Sequence, residues 1–263
     1  HNLVYFYILY IIFSMNRIVF SFIVTAVAGF STLLGMLPCF FKKQKSETII
    51  ALSLAFSAGV MLTISVFSLI PEAFILTALK FKIFPACLLV AIFVVIGILF
   101  SIFVDKKIDM TISNNQLYKL GLISVIALML HNIPEGITTF VSSNVNQKLG
   151  ITLAISIALH NIPEGISIAV PIYYSTGKIK KAFAYTVLSG FSEFAGAIVA
   201  YLFLAKYVND FVLAIILACT AGIMLHISMY ELIPNALSYG NKNQAVLAFI
   251  LGSFVMVICG LVF

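Results

Sequence analysis

The chain has 263 residues, of which 62% are hydrophobic and only 9% charged, and 15 basic against 9 acidic side chains give a formal net charge of +6. So low a charged fraction excludes an ordinary soluble domain, whose surface needs far more charge. The positive balance does not mark a nucleic-acid binder, because the basic residues are scattered through short connections between apolar runs and gather in no patch.

A membrane-spanning helix takes roughly 20 apolar residues. Eight windows meet that requirement, at about 18-41, 49-70, 83-104, 120-141, 149-173, 182-205, 211-234 and 245-263. They predict an all-α, multi-pass protein dissolved in the lipid bilayer, with connections too short for a separate soluble domain. Residues 1-14 form an apolar stretch just before Met15, Asn16 and Arg17, too short to span alone and lacking the basic start of a secretory signal. Residues 1-17 are therefore read as an N-terminal extension, with Met15 the expected true start, His1 without a role, and 18-263 as one transmembrane domain.

With the loop after the first span placed in the cytoplasm, Lys42, Lys43, Lys45, Lys106, Lys107, Lys119, Lys178, Lys180, Lys181 and Lys242 lie inside. Arg17, Lys80, Lys82, Lys148 and Lys206 lie outside, and ten basic residues against five place both termini outside. The four cysteines, Cys39, Cys87, Cys219 and Cys259, show no Cys-x-x-Cys spacing and read as small hydrophobes.

Residues 130-137 and 159-166 are the same string, Leu-His-Asn-Ile-Pro-Glu-Gly-Ile, repeated 29 residues apart in the fourth and fifth spans. A weaker repeat pairs Ser57 to Ala73 in the second span with Thr220 to Ala236 in the seventh, identical at ten of seventeen positions. Each pair joins spans expected to cross in opposite directions, which predicts an inverted repeat with an approximate two-fold axis in the membrane plane. That plan, with a polar site near the midplane, is common among secondary transporters.

Residues four apart share a helix face, so His131 projects beside Glu135, with Asn132 on the adjoining edge. His160, Asn161 and Glu164 repeat the pattern. Facing copies would offer a divalent ion two imidazoles, two carboxylates and two amide oxygens. Pro134 and Pro163 each remove a helical hydrogen bond beside these residues and predict a kink, while Gly136 and Gly165 permit close helix approach. Two buried carboxylates without a cationic partner cost several kcal/mol each, and a dication would cancel them. Protons would compete with the metal when the site is empty.

Five further residues carry candidate chemistry. Glu193, mid-span in Ser-Gly-Phe-Ser-Glu-Phe-Ala-Gly, fits a second metal or proton position, or else a protonated carboxyl bonded to backbone. His226 and Glu231, five apart on the seventh span and so on different faces, fit a gate, a secondary site or a structural role. Met61 and Met224 are matched in the weaker repeat, and each thioether fits either a soft ligand or a core filler.

The doubled His-Asn-Ile-Pro-Glu-Gly, followed by Leu-Ser-Gly-Phe-Ser-Glu-Phe-Ala-Gly-Ala, resembles the ZIP (Zrt/Irt-like) transporters and within them the ZupT-like branch, over about Ile18 to Phe263. The resemblance implies the eight-helix, 3+2+3 inverted-repeat ZIP fold with both ends extracytoplasmic, in the cell membrane. It implies a binuclear site: His131, Glu135, His160 and Glu164 with Met61 at one metal, and Asn132, Glu135, Asn161, Glu164 and Glu193 at the other, the two shared glutamates bridging. It further implies transport of Zn2+ and of Fe2+, Mn2+ or Cd2+ toward the cytosol by an elevator-like shift, no cofactor apart from the transported metal, and a homodimer by family analogy. The loop from Asp105 to Tyr118 contains no histidine, so the His-rich cytosolic sensor of many eukaryotic relatives has no counterpart here.

The competing reading is an intramembrane metal-dependent hydrolase. A His-Glu-x-x-His enzyme sets a catalytic glutamate beside a ligand, whereas here asparagine follows each histidine and no general base is spare. A symmetric duplication also suits transport better than one-sided chemistry. The absence of a phosphate-binding loop argues against pumping powered by ATP within this chain.

Overall fold

The computed structural model describes residues 16–41, 46–109, 115–204 and 209–262. The expected start at Met15 lies outside them. Among the described residues eight helices are long and apolar enough to cross a membrane. They are α1 (Arg17–Phe41), α2 (Glu47–Ala78), α3 (Ile83–Ile108), α4 (Gln116–Val145), α5 (Gln147–Thr176), α6 (Ile179–Leu202), α7 (Asp210–Ser238) and α8 (Lys242–Leu261). No strand occurs among the described residues.

Helices α2 and α7 run past the ends of their hydropathy windows, at 70 and 234, for a shared reason. Those windows end beside Pro71 and at Pro234, and a proline tends to end a helix because it lacks the amide hydrogen of a helical bond and its ring crowds the preceding turn. The backbone instead widens into π turns at Ser65–Leu69 and Ile227–Leu232, and the helices resume at Ile70–Ala78 and Ile233–Ser238. The π turns occupy corresponding places in the seventeen-residue repeat. Pro134, Pro163 and Pro171, by contrast, sit inside α-helix that continues without interruption on both sides.

A single residue, Asn146, separates α4 from α5. It ends one helix and caps the next, its side-chain oxygen accepting from the amides of Lys148 at 3.0 Å and Leu149 at 3.2 Å. Side-chain acceptance of these otherwise unpaired amides is what favours asparagine at an N-cap.

Helices α2, α4, α5 and α7 form the interior. Over their most apolar windows α2 is 72% buried, whereas α3 and α8 are 17% and 22% buried, which puts those two at the periphery. Lipid supplies no hydrophobic drive for helices to associate, so they join where small residues let backbones meet. The α2–α8 and α7–α3 contacts are built alike. Gly59 faces the Phe249 carbonyl and Gly252 the Phe56 carbonyl, while Gly222 faces the Val94 carbonyl and Gly97 the Cys219 carbonyl. A side chain at any of the four would collide with unyielding main chain.

This packing yields a direct expectation. Gly97→Val and Gly252→Val should each cost about 1–3 kcal/mol through overpacking. Gly260→Val should be neutral, since nothing lies within 4 Å of a Cβ there. Thermal unfolding of the purified variants followed by size-exclusion chromatography checks the contrast.

Candidate metal centre

Helical spacing places His131 and Glu135 on one face of α4, and tertiary packing brings α5 against that face. His131 Nε2 lies 3.1 Å from Glu135 Oε1 on its own helix and 3.1 Å from Glu164 Oε1 across the interface. His160 Nε2 lies 3.0 Å from the same Glu135 oxygen. The result is a continuous chain, Glu164 to His131 to Glu135 to His160, that alternates carboxylate with imidazole and crosses the α4–α5 interface twice. Ligand-capable atoms of His131, His160 and Glu164 fall within 4.8 Å of one another, close enough to surround one ion.

The helices are fixed around this cluster by backbone contact. Gly136 abuts the Glu193 carbonyl of α6, and Gly165 abuts the Thr32 carbonyl of α1. The amide of Asn132 donates to the Ser189 carbonyl at 3.1 Å, and that of Asn161 donates to the Ala28 carbonyl at 2.9 Å. Asn161 also donates to Glu193 Oε2 at 2.7 Å, which tethers the third carboxylate to α5. From α2, the Ser57 hydroxyl donates to the Pro163 carbonyl at 2.6 Å, directly beside Glu164.

With their amide hydrogens spent on anchoring, both asparagines keep the carbonyl oxygen unpartnered. Asn132 Oδ1, Asn161 Oδ1, Glu135 Oε2, Glu164 Oε2 and Glu193 Oε1 are all buried with no hydrogen-bond partner in the protein. Buried polar atoms are nearly always paired, so five unpaired oxygens around one cluster mark a place built for something else to bind. No Lys or Arg is buried among the described residues, so the charge that could offset Glu135, Glu164 and Glu193 is not supplied by such a side chain. Oxygen and imidazole donors with surplus negative charge suit a divalent transition-metal ion.

The sequence-predicted residues are distributed as follows. His131, Glu135, His160 and Glu164 are joined in one chain of contacts, and Asn161 links Glu193 to α5. Asn132 is anchored on α6 through Ser189. Met61 lies one turn from Ser57 on the same face of α2, completely buried within the main apolar core, as is Met224. His226 is used locally, with Nδ1 2.9 Å from the Ser101 hydroxyl and its ring stacked on Tyr230 at 5.3 Å. The Glu231 carbonyl accepts from the Asn235 amide at 2.8 Å.

Sequence reasoning missed the part played by α1. Its run Thr25, Gly29-Phe30-Ser31, Gly35 repeats Thr186, Gly190-Phe191-Ser192, Gly196 of α6 at the same spacing. Gly29 faces the Gly190 carbonyl and Gly190 the Gly29 carbonyl, both at 2.6 Å from the Cβ position. In this register Ala28 matches Ser189, and their carbonyls are the acceptors for Asn161 and Asn132. Thr32 stands where α6 has Glu193. The identical Gly-Phe-Ser was the available signal, obscured because the flanking residues differ.

The family description "ZIP Zinc transporter" matches residues 112–260. A protein of Streptococcus mutans called zinc transporter ZupT is 40% identical over 257 residues, covering 92% of this chain and 97% of its own length. The protein of the same name in Clostridium perfringens is 36% identical over 279 residues, covering 95% of this chain and 98% of its own. That of Campylobacter jejuni is 36% identical over 280 residues, covering 93% and 96%. The family consists of transporters, which sets the hydrolase reading aside. Eight membrane-crossing helices, a buried His/Glu cluster and these full-length matches together make the chain an integral, multi-pass member of the ZIP family of zinc transporters.

Proposed function

We propose that the protein is a secondary transporter that carries Zn2+, and with it Fe2+, Mn2+ or Cd2+, across the cell membrane toward the cytosol. The observation that carries this reading is the buried cluster itself: His131, His160 and Glu164 arranged to share an ion, ringed by carboxylate and amide oxygens with no protein partner. The relatives' names point to zinc, and an imidazole–carboxylate donor set also accommodates the other three ions.

In this reading the cargo binds at two adjoining positions. His131, Glu135, His160 and Glu164 hold the first, with Met61 of α2 completing it. Asn132, Asn161 and Glu193 hold the second, with Glu135 and Glu164 shared between the two. Residues 18–263 act as one transporter domain with both termini outside the cytosol, in keeping with the ten-to-five distribution of basic residues. Matched contacts of Asn132 with Asn161, of Gly29 with Gly190 and of α2–α8 with α7–α3 support a 3+2+3 inverted repeat. Such an arrangement supplies two nearly equivalent packings and hence alternating access, reached by an elevator-like shift. Pairing of two copies is carried over from the family.

Labelled-zinc uptake into proteoliposomes tests the reading. Wild type should take up metal, and His131→Ala and Glu164→Ala should each fall to background; equal uptake by all three would overturn it. Glu193→Leu should bind one equivalent of zinc fewer than wild type by equilibrium dialysis. Because zinc must displace protons from histidine and carboxylate, affinity should weaken as pH falls, by about tenfold per unit for each proton displaced. An affinity independent of pH would contradict ligation by these side chains. Varying the pH gradient in the uptake assay separates proton co-transport from simple competition.

A further inference from the structure

A buried hydroxyl in a membrane helix has an easy remedy, a hydrogen bond back to the carbonyl three or four residues earlier. Thr25, Thr32, Ser65, Thr77, Thr186 and Ser192 all take it. Ser124, Thr139 and Ser143 do not: each is completely buried and each oxygen lacks a partner. All three belong to α4, and Ser228 of α7 is the one other serine or threonine hydroxyl in that condition among the described residues.

Their placement follows the metal cluster. With 3.6 residues per turn, Ser124, His131, Glu135 and Thr139 fall within ~80° of helix circumference, and Ser143 follows at the edge of that stripe. Ser124 lies on one side of the cluster along the helix; Thr139 and Ser143 lie on the other. Helix α5 repeats α4 at the cluster but departs from it here. At the 29-residue offset its residues are Leu153, Ile168 and Ile172, and both isoleucines are completely buried. The two helices thus share their ligands and differ at these three positions, unpartnered hydroxyls on α4 against aliphatic side chains on α5, whose buried Ser167 beside the cluster bonds back to the Glu164 carbonyl.

We propose that α4 is the track along which the divalent cation reaches and leaves the cluster, with the Thr139 and Ser124 hydroxyls as neutral, transient ligands on either side. Ser143, whose side chain abuts Gly150, extends the same stripe toward the α4–α5 hairpin. Helix α5 forms the sealing wall. A carboxylate at these positions would trap a dication and an aliphatic side chain would block its dehydration; a hydroxyl replaces a water without holding the ion. Passage requires sites strong enough to enter and weak enough to leave. This inference rests on the cluster being the transport site.

The test separates rate from affinity. Zinc uptake into proteoliposomes and zinc binding to purified protein are measured for Thr139→Val, Thr139→Ser, Ser124→Ala and His131→Ala beside wild type. Thr139→Val and Ser124→Ala should lower the maximal uptake rate roughly three- to tenfold, the worth of one lost polar contact. Their zinc affinity should stay within about twofold of wild type, and Thr139→Ser, which keeps the hydroxyl, should transport normally. Unchanged uptake in the valine and alanine variants, with His131→Ala inactive, would overturn the track and leave the cluster's role intact. An equal loss in Thr139→Ser and Thr139→Val would show a packing role and overturn it as well. Normal uptake by His131→Ala would instead remove the transport-site reading on which the track depends.

Discussion

Three carboxylates lie buried in the centre of this helix bundle, and among the described residues no lysine or arginine is buried with them. An ionised carboxylate in a low-dielectric interior costs several kcal/mol unless something offsets it. The chain of contacts from Glu164 through His131 and Glu135 to His160 compensates in part. The unpartnered oxygens of the glutamates and asparagines remain. A dication meets both demands at once, neutralising charge and supplying a partner to oxygens that have none. Much of the bundle's design can be read as the means of holding that cluster together in lipid.

Holding it falls largely to glycine and asparagine. Gly136 and Gly165 bring α4 and α5 into main-chain contact with α6 and α1, and Asn132 and Asn161 anchor the same pairs through the Ser189 and Ala28 carbonyls. Each asparagine serves two ends: its amide fixes a neighbouring helix, and its oxygen is left facing no donor. Glutamine or aspartate could not do both as well, the first for its added length and the second for its missing donor. The α1–α6 contact at Gly29 and Gly190 lies where these two anchored pairs meet. The exception to their likeness is Thr32 against Glu193, which gives one half of the centre a carboxylate and the other a hydroxyl.

The fold was legible in the sequence wherever a single physical requirement dominates. Lipid demands long apolar helices, and all eight windows correspond to helices of the structure. The His-x-x-x-Glu pairs were legible because four-residue spacing on a helix has one geometric meaning. Helix ends were less so: Pro71 and Pro234 resemble stops until a π turn lets the helix continue, and hydropathy carries no record of that turn. Pro134 and Pro163, where kinks are expected, lie within helix that continues on both sides. The support from α1 was hidden for a different reason. Its contribution is made by backbone carbonyls and the absence of side chains, and neither leaves a chemical signature in a row of residue names. His226, a candidate by residue type alone, is engaged by Tyr230 one turn along α7 and by Ser101 of α3, the second a partnership set by how α3 packs against α7.

The central claim is that the two copies of one motif converge to bind a divalent cation between α4 and α5. Anomalous diffraction from crystals grown with Zn2+ or Cd2+ addresses it most directly, because it locates the ion without reference to transport. The expected result is a strong peak at bonding distance from His131 Nε2, His160 Nε2 and a Glu164 oxygen, with a second peak beside Asn161 and Glu193. Peaks confined to other places, such as His226 or the exposed Cys87, with none between α4 and α5, would contradict it.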